Sequence, residues 1–261
     1  MVATLSTIMI RSTALDKNVH ATVMHGIIKR KKHHMRIYLN CQEAITDIGR
    51  ELKKCATTVH TQTMQNKDIA NDPDYETKEI QAFQFCIIDT VDKDSMPNVT
   101  LEWAQSEFSE RIAPEHLNPG YAYKLRKNVW DEFLVDGKFE YTYNERISWQ
   151  VNPVIQELVK HPDTRQAIIE VHDRGIDTER MGKMRVPCSM FYHFMIRNGK
   201  LDVIYVMRST DFATHFQNDI WLADELRKYI AGRINVPVGK FIMFASSLHI
   251  YKKDWELLSN Y

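Results

Sequence analysis

Four cysteines in 261 residues are too few and too scattered to staple a fold. Cys41, Cys55, Cys86 and Cys188 form no C-x-x-C pair and no His/Cys spacing suited to zinc, and a chain of this length needs no disulfides to hold its core. A secreted disulfide scaffold and a metal centre are therefore set aside. No segment approaches the roughly 20 consecutive apolar residues that span a bilayer. The apolar run in Met1 to Ile10 has neither the basic flank nor the small-residue cleavage site of an export signal. Charge of one sign is also missing: 34 Lys and Arg balance 34 Asp and Glu, so no global field draws nucleic acid or anionic membrane to the chain. The expectation is a soluble protein of a reducing cytoplasm, with neither membrane nor nucleic acid as partner. Any anion site must be local.

What is present is a substantial apolar fraction, 44%, enough for one large domain. Residues 1–35 read as an N-terminal extension, and the basic cluster Lys29-Arg30-Lys31-Lys32-His33-His34 as a solvated turn or hairpin between Ile27-Ile28 and Ile37-Tyr38. Residues 36–261 read as the functional domain. Ala44, Ile45, Ile48 and Leu52 recur at helical spacing between Cys41 and Cys55, and helices are also expected near 99–112, 150–160 and 219–230. Short β-branched and aromatic runs at 82–88, 167–171, 189–196, 201–207 and 241–246 read as strands, with Asn198-Gly199 as a tight hairpin turn. Strands alternating with helices, without strict polar alternation, predict an α/β (α+β) fold: a large sheet covered by helices or by another subunit.

The chemistry-bearing residues stand at the ends of these apolar runs. Cys188 follows Arg185-Val186-Pro187, and by itself a cysteine there reads as core filler. It becomes a nucleophile only in a cationic neighbourhood, for which Arg165, Arg185 and Arg208 are candidates. Further along stand Arg208-Ser209-Thr210-Asp211, Gln217-Asn218-Asp219 and Ser247-Leu248-His249-Ile250-Tyr251. His249 and Tyr251 are alternate residues of one strand and so share a face.

These blocks resemble the thymidylate synthase family. Pro187-Cys188 with the strand and hairpin to Leu201 looks like the family's nucleophile segment, and Arg208-Ser209-Thr210-Asp211 like its phosphate-binding R-S-x-D. Tyr141-Thr142-Tyr143-Asn144-Glu145-Arg146, Pro162-Asp163-Thr164-Arg165 and Leu248-His249-Ile250-Tyr251 match further blocks. The resemblance implies a homodimer joined through its sheet. It also implies addition of Cys188 to C6 of a pyrimidine nucleotide, so that C5 attacks the one-carbon unit of methylenetetrahydrofolate. It gives Arg208, Ser209 and Asp211 to the 5′-phosphate site, with Arg165 reaching that phosphate from the partner subunit. His249 and Tyr251 fall to the sugar 3′-hydroxyl, and Tyr143 to the pocket beside the nucleophile. Gln166 stands where the family usually carries a second arginine.

Asp219, eight residues after Asp211, falls where thymidylate synthases carry the asparagine that reads uracil. A protonated carboxyl accepts from N4 of cytosine and donates to N3, whereas an ionised one meets O4 of uracil with repulsion. The segment is similar to the bacteriophage deoxycytidylate hydroxymethylases, a branch of the family, and so implies dCMP hydroxymethylation. The same aspartate also reads as the N-cap of the helix at Ile220. The family's acid/base glutamate lies three residues before a tryptophan, where this chain has Thr100 before Trp103; Glu102, Glu107 and Glu110 are the substitutes, with Glu102 the expected catalytic one. After Tyr251 ten residues follow, fewer than in the tail that closes over folate in bacterial members of the family. The alternatives left open are 5-hydroxylation or 5-methylation of dCMP, hydroxymethylation of CMP, and a nucleotide-binding protein without turnover.

Overall fold

The computed structural model describes residues 35–64, 67–178 and 185–261. The expected extension 1–35, with its basic cluster, lies outside the described residues.

The first helix forms where its periodicity predicts. Strand β1 (Arg36–Asn40) runs into α1 (Cys41–Lys54), where Asn40 caps the Glu43 amide at 3.0 Å and Cys41, Ala44, Ile45, Ile48 and Leu52 bury one face. After β2 (Thr57–Val59) comes the long strand β3 (Thr77–Thr90), which takes in the expected run 82–88. Helix α2 (Leu101–Ile112) follows, then α3 (Tyr143–Lys160), β4 (Ile168–Glu170), β5 (Ser189–Arg197), β6 (Lys200–Asp211), α4 (Phe216–Ile234) and β7 (Val238–Tyr251). Asn198 and Gly199 both take positive φ, 53° and 71°, as a two-residue turn between β5 and β6 requires.

Seven strands form one mixed sheet in the order β1-β3-β7-β6-β5-β4, with β2 pairing onto β3. β6 and β7 are parallel, joined by the crossover helix α4, whereas β3 and β5 run antiparallel to their neighbours β7 and β6. Side chains alternate along the strands. Tyr192, Phe194, Val203, Tyr205, Phe241 and Met243 are buried in the core, while Phe191, His193, Ile204 and Ile242 on the opposite face are only half-buried. Among the described residues no helix is long and apolar enough to cross a membrane.

Polar clamps hold α2 against the sheet at both ends. At its start, the side-chain oxygens of Gln217 and Asn218 on α4 accept from the Asn98 and Thr100 amides at 2.9 and 3.0 Å. At its end, Asn144 Nδ2 donates to the carbonyls of Glu110 and Ala113, at 2.6 and 2.9 Å. These bonds satisfy helix-end groups that otherwise lack partners.

Asn144 is itself placed by a capping box, in which Thr142 Oγ1 accepts from the Glu145 amide and Glu145 returns the bond to the Thr142 amide at 2.7 Å. Thr142→Ala is expected to lower stability by about 1 kcal/mol. Urea unfolding should show this as a lower midpoint at unchanged slope.

Candidate active site

Strand register assembles the site. Cys188 lies at the head of β5 and its carbonyl accepts from the Arg208 amide at 2.9 Å, so nucleophile and arginine face each other across two strands. The parallel pairing of β6 with β7 sets Ser209 beside Ser247 and Asp211 beside His249. Tyr251 ends the same strand, its ring meeting that of His249 edge-on at 5.1 Å. Cys188, Arg208, Ser209, Asp211, Asp219, His249, Tyr251 and Tyr143 all line one cavity of about 710 Å³. That size suits a small-molecule ligand.

Arg208 ties Ser209 to the turn that carries Cys188. Its Nε and Nη2 donate to the carbonyls of Pro187 and Val186 at 2.9 and 3.0 Å, fixing the turn that presents Cys188. Its Nη1 donates to Ser209 Oγ at 3.2 Å, and Ser209 Oγ–H points to Cys188 Sγ at 3.7 Å. The other two candidates for a cationic neighbourhood lie elsewhere. Arg165 is exposed and outside the cavity lining, and the Arg185 guanidinium is packed among aromatic rings, 4.6 Å from the Trp130 centroid, 4.9 Å from Tyr141 and 5.1 Å from Phe139.

Asp219 is not the helix N-cap. α4 begins at Phe216 behind His215, and the Asp219 carboxylate, one turn in, accepts from Thr210 Oγ1 at 2.8 Å. Burial raises its pKa to about 7, against the opposing pull of the Thr210 hydrogen bond, Arg111 and Arg126. His215 in the same wall is pushed down to about 4 by burial, so its imidazole is neutral at neutral pH. His249 is likewise lowered and Tyr251 raised, each mainly by burial.

Tyr143 stands in the first turn of α3 and belongs to a buried hydroxyl chain. Its Oη is 3.2 Å from Ser189 Oγ, which is 2.5 Å from Tyr205 Oη. Burial raises both tyrosine pKa values.

Glu102 requires a correction. It sits on the exposed side of α2, outside the cavity lining, because the face of that helix turned to the site is the one bearing Glu107, Glu110 and Arg111. Glu110 is engaged by the Ala122 amide at 2.7 Å, and Glu107 accepts from Arg111 Nε at 2.8 Å. Thr100 lies at the start of α2, its amide tied to Asn218. Sequence reading missed Arg111, His215 and Trp130. The spacing of Glu107 and Arg111, one helical turn apart, was the available signal for an ion pair. Among the described residues no cluster of His, Cys, Asp and Glu is arranged to hold a metal ion.

The Thymidylate synthase family model matches residues 74–261. Two proteins named "Putative thymidylate synthase", from Methanosarcina barkeri and Methanocaldococcus jannaschii, are 32% identical over 128 residues and 31% identical over 138. The matches cover 47% and 52% of this chain, and 58% and 62% of those proteins. The chain thus spans about three-fifths of the length of these relatives. A Bacillus phage SP01 protein named deoxyuridylate hydroxymethyltransferase is 27% identical over 153 residues, 52% of this chain and 40% of its own. Among solved structures, thermostable thymidylate synthase A from Bacillus subtilis matches with a TM-score of 0.67 at 14% identity, over 85% of this chain and 83% of its own, a likeness of fold.

The perturbed carboxyl of Asp219 has a measurable consequence in the free protein. With a folded pKa of about 7 against an ordinary 3.8, the folded state keeps a proton that the unfolded chain has lost between those values, so stability falls as pH rises through that interval. Asp219→Asn should therefore gain stability relative to the parent between pH 5 and pH 8, by about 3 kcal/mol at most. Thermal melts of both proteins at the two pH values check this, and equal differences at both would contradict it.

Proposed function

Since this chain belongs to the thymidylate synthase family, we propose that it modifies C5 of a pyrimidine deoxynucleotide 5′-monophosphate, with dCMP as substrate and hydroxymethylation as the reaction. The observation that carries the choice of base is Asp219, a half-buried carboxyl in the cavity wall whose pKa is raised to about 7 by desolvation. In its neutral form it accepts from N4 and donates to N3 of cytosine.

Arg208 and Ser209 bind the 5′-phosphate with the N–H and O–H donors that face the cavity, beside Asp211. His249 and Tyr251 take the sugar 3′-hydroxyl, leaving the base to enter between Cys188 and Asp219. Cys188 Sγ then forms a bond to C6, and the electron pair of the C5–C6 double bond passes to C5, which becomes nucleophilic. Glu107 replaces Glu102 as the carboxylate at the base and takes up the proton that later leaves C5, with the hydroxyls of Tyr143, Ser189 and Tyr205 as the hydrogen-bonded chain beside it. Expulsion of the Cys188 thiolate restores the C5–C6 double bond.

Trp130 and Phe139 at the cavity wall fit a flat heterocycle, since the planar Arg185 guanidinium already stacks there. Methylenetetrahydrofolate, when bound, supplies the one-carbon unit; Trp130 and Phe139 would hold its ring in place of the Arg185 guanidinium. The half-buried apolar face of the sheet supports a homodimer. The exposed Arg165 would then complete the phosphate site across the interface, in a cytoplasmic enzyme. A second reading, hydroxymethylation of dUMP, is favoured by the name of the phage SP01 relative and requires ionised Asp219 to accept from N3–H.

Tritium release from [5-³H]dCMP and [5-³H]dUMP, with and without methylenetetrahydrofolate, followed by product mass, tests the proposal. Folate-dependent release from dCMP with gain of CH₂O supports it. Release from dUMP alone moves the assignment to the second reading, and no folate-dependent release from either removes hydroxymethyl transfer. Cys188→Ala is expected to abolish release while leaving dCMP affinity within a few-fold, measured by calorimetry.

Asp219→Asn is expected to move the preference toward dUMP by roughly two to three orders of magnitude in kcat/KM. An unchanged ratio would leave Asp219 a structural group only.

A further inference from the structure

Arg111 is a charged residue placed inside the cavity with most of its donors unspent. Its side chain is 9% exposed, and its guanidinium carbon lies 3.9 Å from the centroid of the Tyr143 ring. Nε donates to Glu107 Oε1, and this is the one hydrogen bond the side chain makes among the described residues. Among the described residues Nη1 and Nη2 have no acceptor; they are not sealed off from solvent, and the residue lines the cavity. A guanidinium withdrawn from water is unfavourable unless its N–H groups are met, and one carboxylate and one ring face meet only part of the need. The remaining donors suit an oxygen acceptor that enters with the ligand, because guanidinium itself accepts nothing.

The orientation of the base narrows which oxygen this is, and here the inference rests on the reading above. Cys188 at C6 and Asp219 at N3 and N4 leave the ring two open positions: C2, on the N1–C2 edge turned to the sugar and therefore to His249 and Tyr251, and C5, on the C4–C5 edge. Arg111 stands on helix α2, not on strand β7 that carries His249 and Tyr251. It stacks on Tyr143, whose hydroxyl reaches the residue after Cys188, and its charge acts on the Asp219 carboxyl and on Tyr192 and Tyr205 beneath the base. It therefore faces the C4–C5 edge. On cytosine C4 carries an amino group, a donor that a guanidinium does not bind.

We infer that Arg111 is a specificity residue that receives the oxygen on C5: its terminal N–H groups donate to the hydroxymethyl oxygen of the product, and to the water that becomes it, while Glu107 accepts the hydroxyl proton. A methyl group at C5 offers no such oxygen and leaves those donors unmet. The pair thus selects a hydroxymethyl over a methyl substituent.

The test is equilibrium binding by calorimetry of 5-hydroxymethyl-dCMP against 5-methyl-dCMP, and of 5-hydroxymethyl-dUMP against dTMP, to the full-length protein and its Arg111→Met and Arg111→Lys variants. The wild type is expected to bind the hydroxymethyl member roughly ten- to hundredfold more tightly in the base series it accepts. Arg111→Met should bring that ratio to about one with little change for the methyl nucleotide, and Arg111→Lys should fall between. Equal affinities in the wild type, or a preference that survives both substitutions, would overturn the inference. Should Arg111→Met not fold, the wild-type ratio and Arg111→Lys decide it. A hydroxyl preference confined to the uracil series would overturn the choice of dCMP and leave the role of Arg111 standing, whereas failure to bind either series would remove both.

Discussion

The parallel register of β6 and β7 is the constraint from which the site follows. Ser209 beside Ser247 and Asp211 beside His249 bring together residues roughly forty positions apart in the chain, and a slip of one residue would turn each of them to the other face of the sheet. The crossover through α4 both closes that register and delivers Asp219 to the cavity. The positions of Ser209, Asp211, Asp219 and His249 around the cavity are thus consequences of one βαβ unit. Cys188 joins them through the antiparallel pairing of β5 with β6 and through Arg208, which holds the carbonyls before the cysteine.

The opposite wall is built by polar clamps on α2. Gln217, Asn218 and Asn144 hold its two ends, so the side chains of Glu107 and Arg111 are set by fixed backbone on both sides. Two carboxyls, Asp219 and Glu107, and two guanidiniums, Arg111 and Arg126, are thereby gathered in a region of low dielectric. Desolvation outweighs the attraction of both arginines at Asp219, which is why its proton is retained to about pH 7. The Arg126 side chain, stacked 4.6 Å from the Trp103 centroid, has its Nη1 buried without a hydrogen-bond partner. Such incompletely paired groups mark a region organised around a ligand more than around its own stability.

Some elements were legible because their signal is local. The period of Ala44, Ile45, Ile48 and Leu52 specifies α1, and Asn198-Gly199 specifies its turn by the positive φ that both residues adopt. Asp219 was ambiguous between cap and base reader, since an acidic residue before an apolar run serves either role. The helix starting three residues earlier, at Phe216, removes the cap reading. Glu102 misled for a related reason: spacing to a tryptophan identifies a position along a helix but not the face that a tertiary clamp turns inward.

By itself, the sequence determined the strands and helices, the order of the blocks around Cys188, Arg208, Asp219 and His249, and with them the family. Propensity, period and turn chemistry act over a few residues and need no knowledge of the rest of the chain. Tertiary structure decided which glutamate of α2 meets the cavity, that Arg111 stacks on Tyr143, that Arg185 is held among aromatic rings, and that Asp219 stands in a cavity wall where desolvation raises its pKa. Each of these depends on desolvation and on contacts between residues distant in sequence. Such quantities come into being only when the sheet and its helices close on one another.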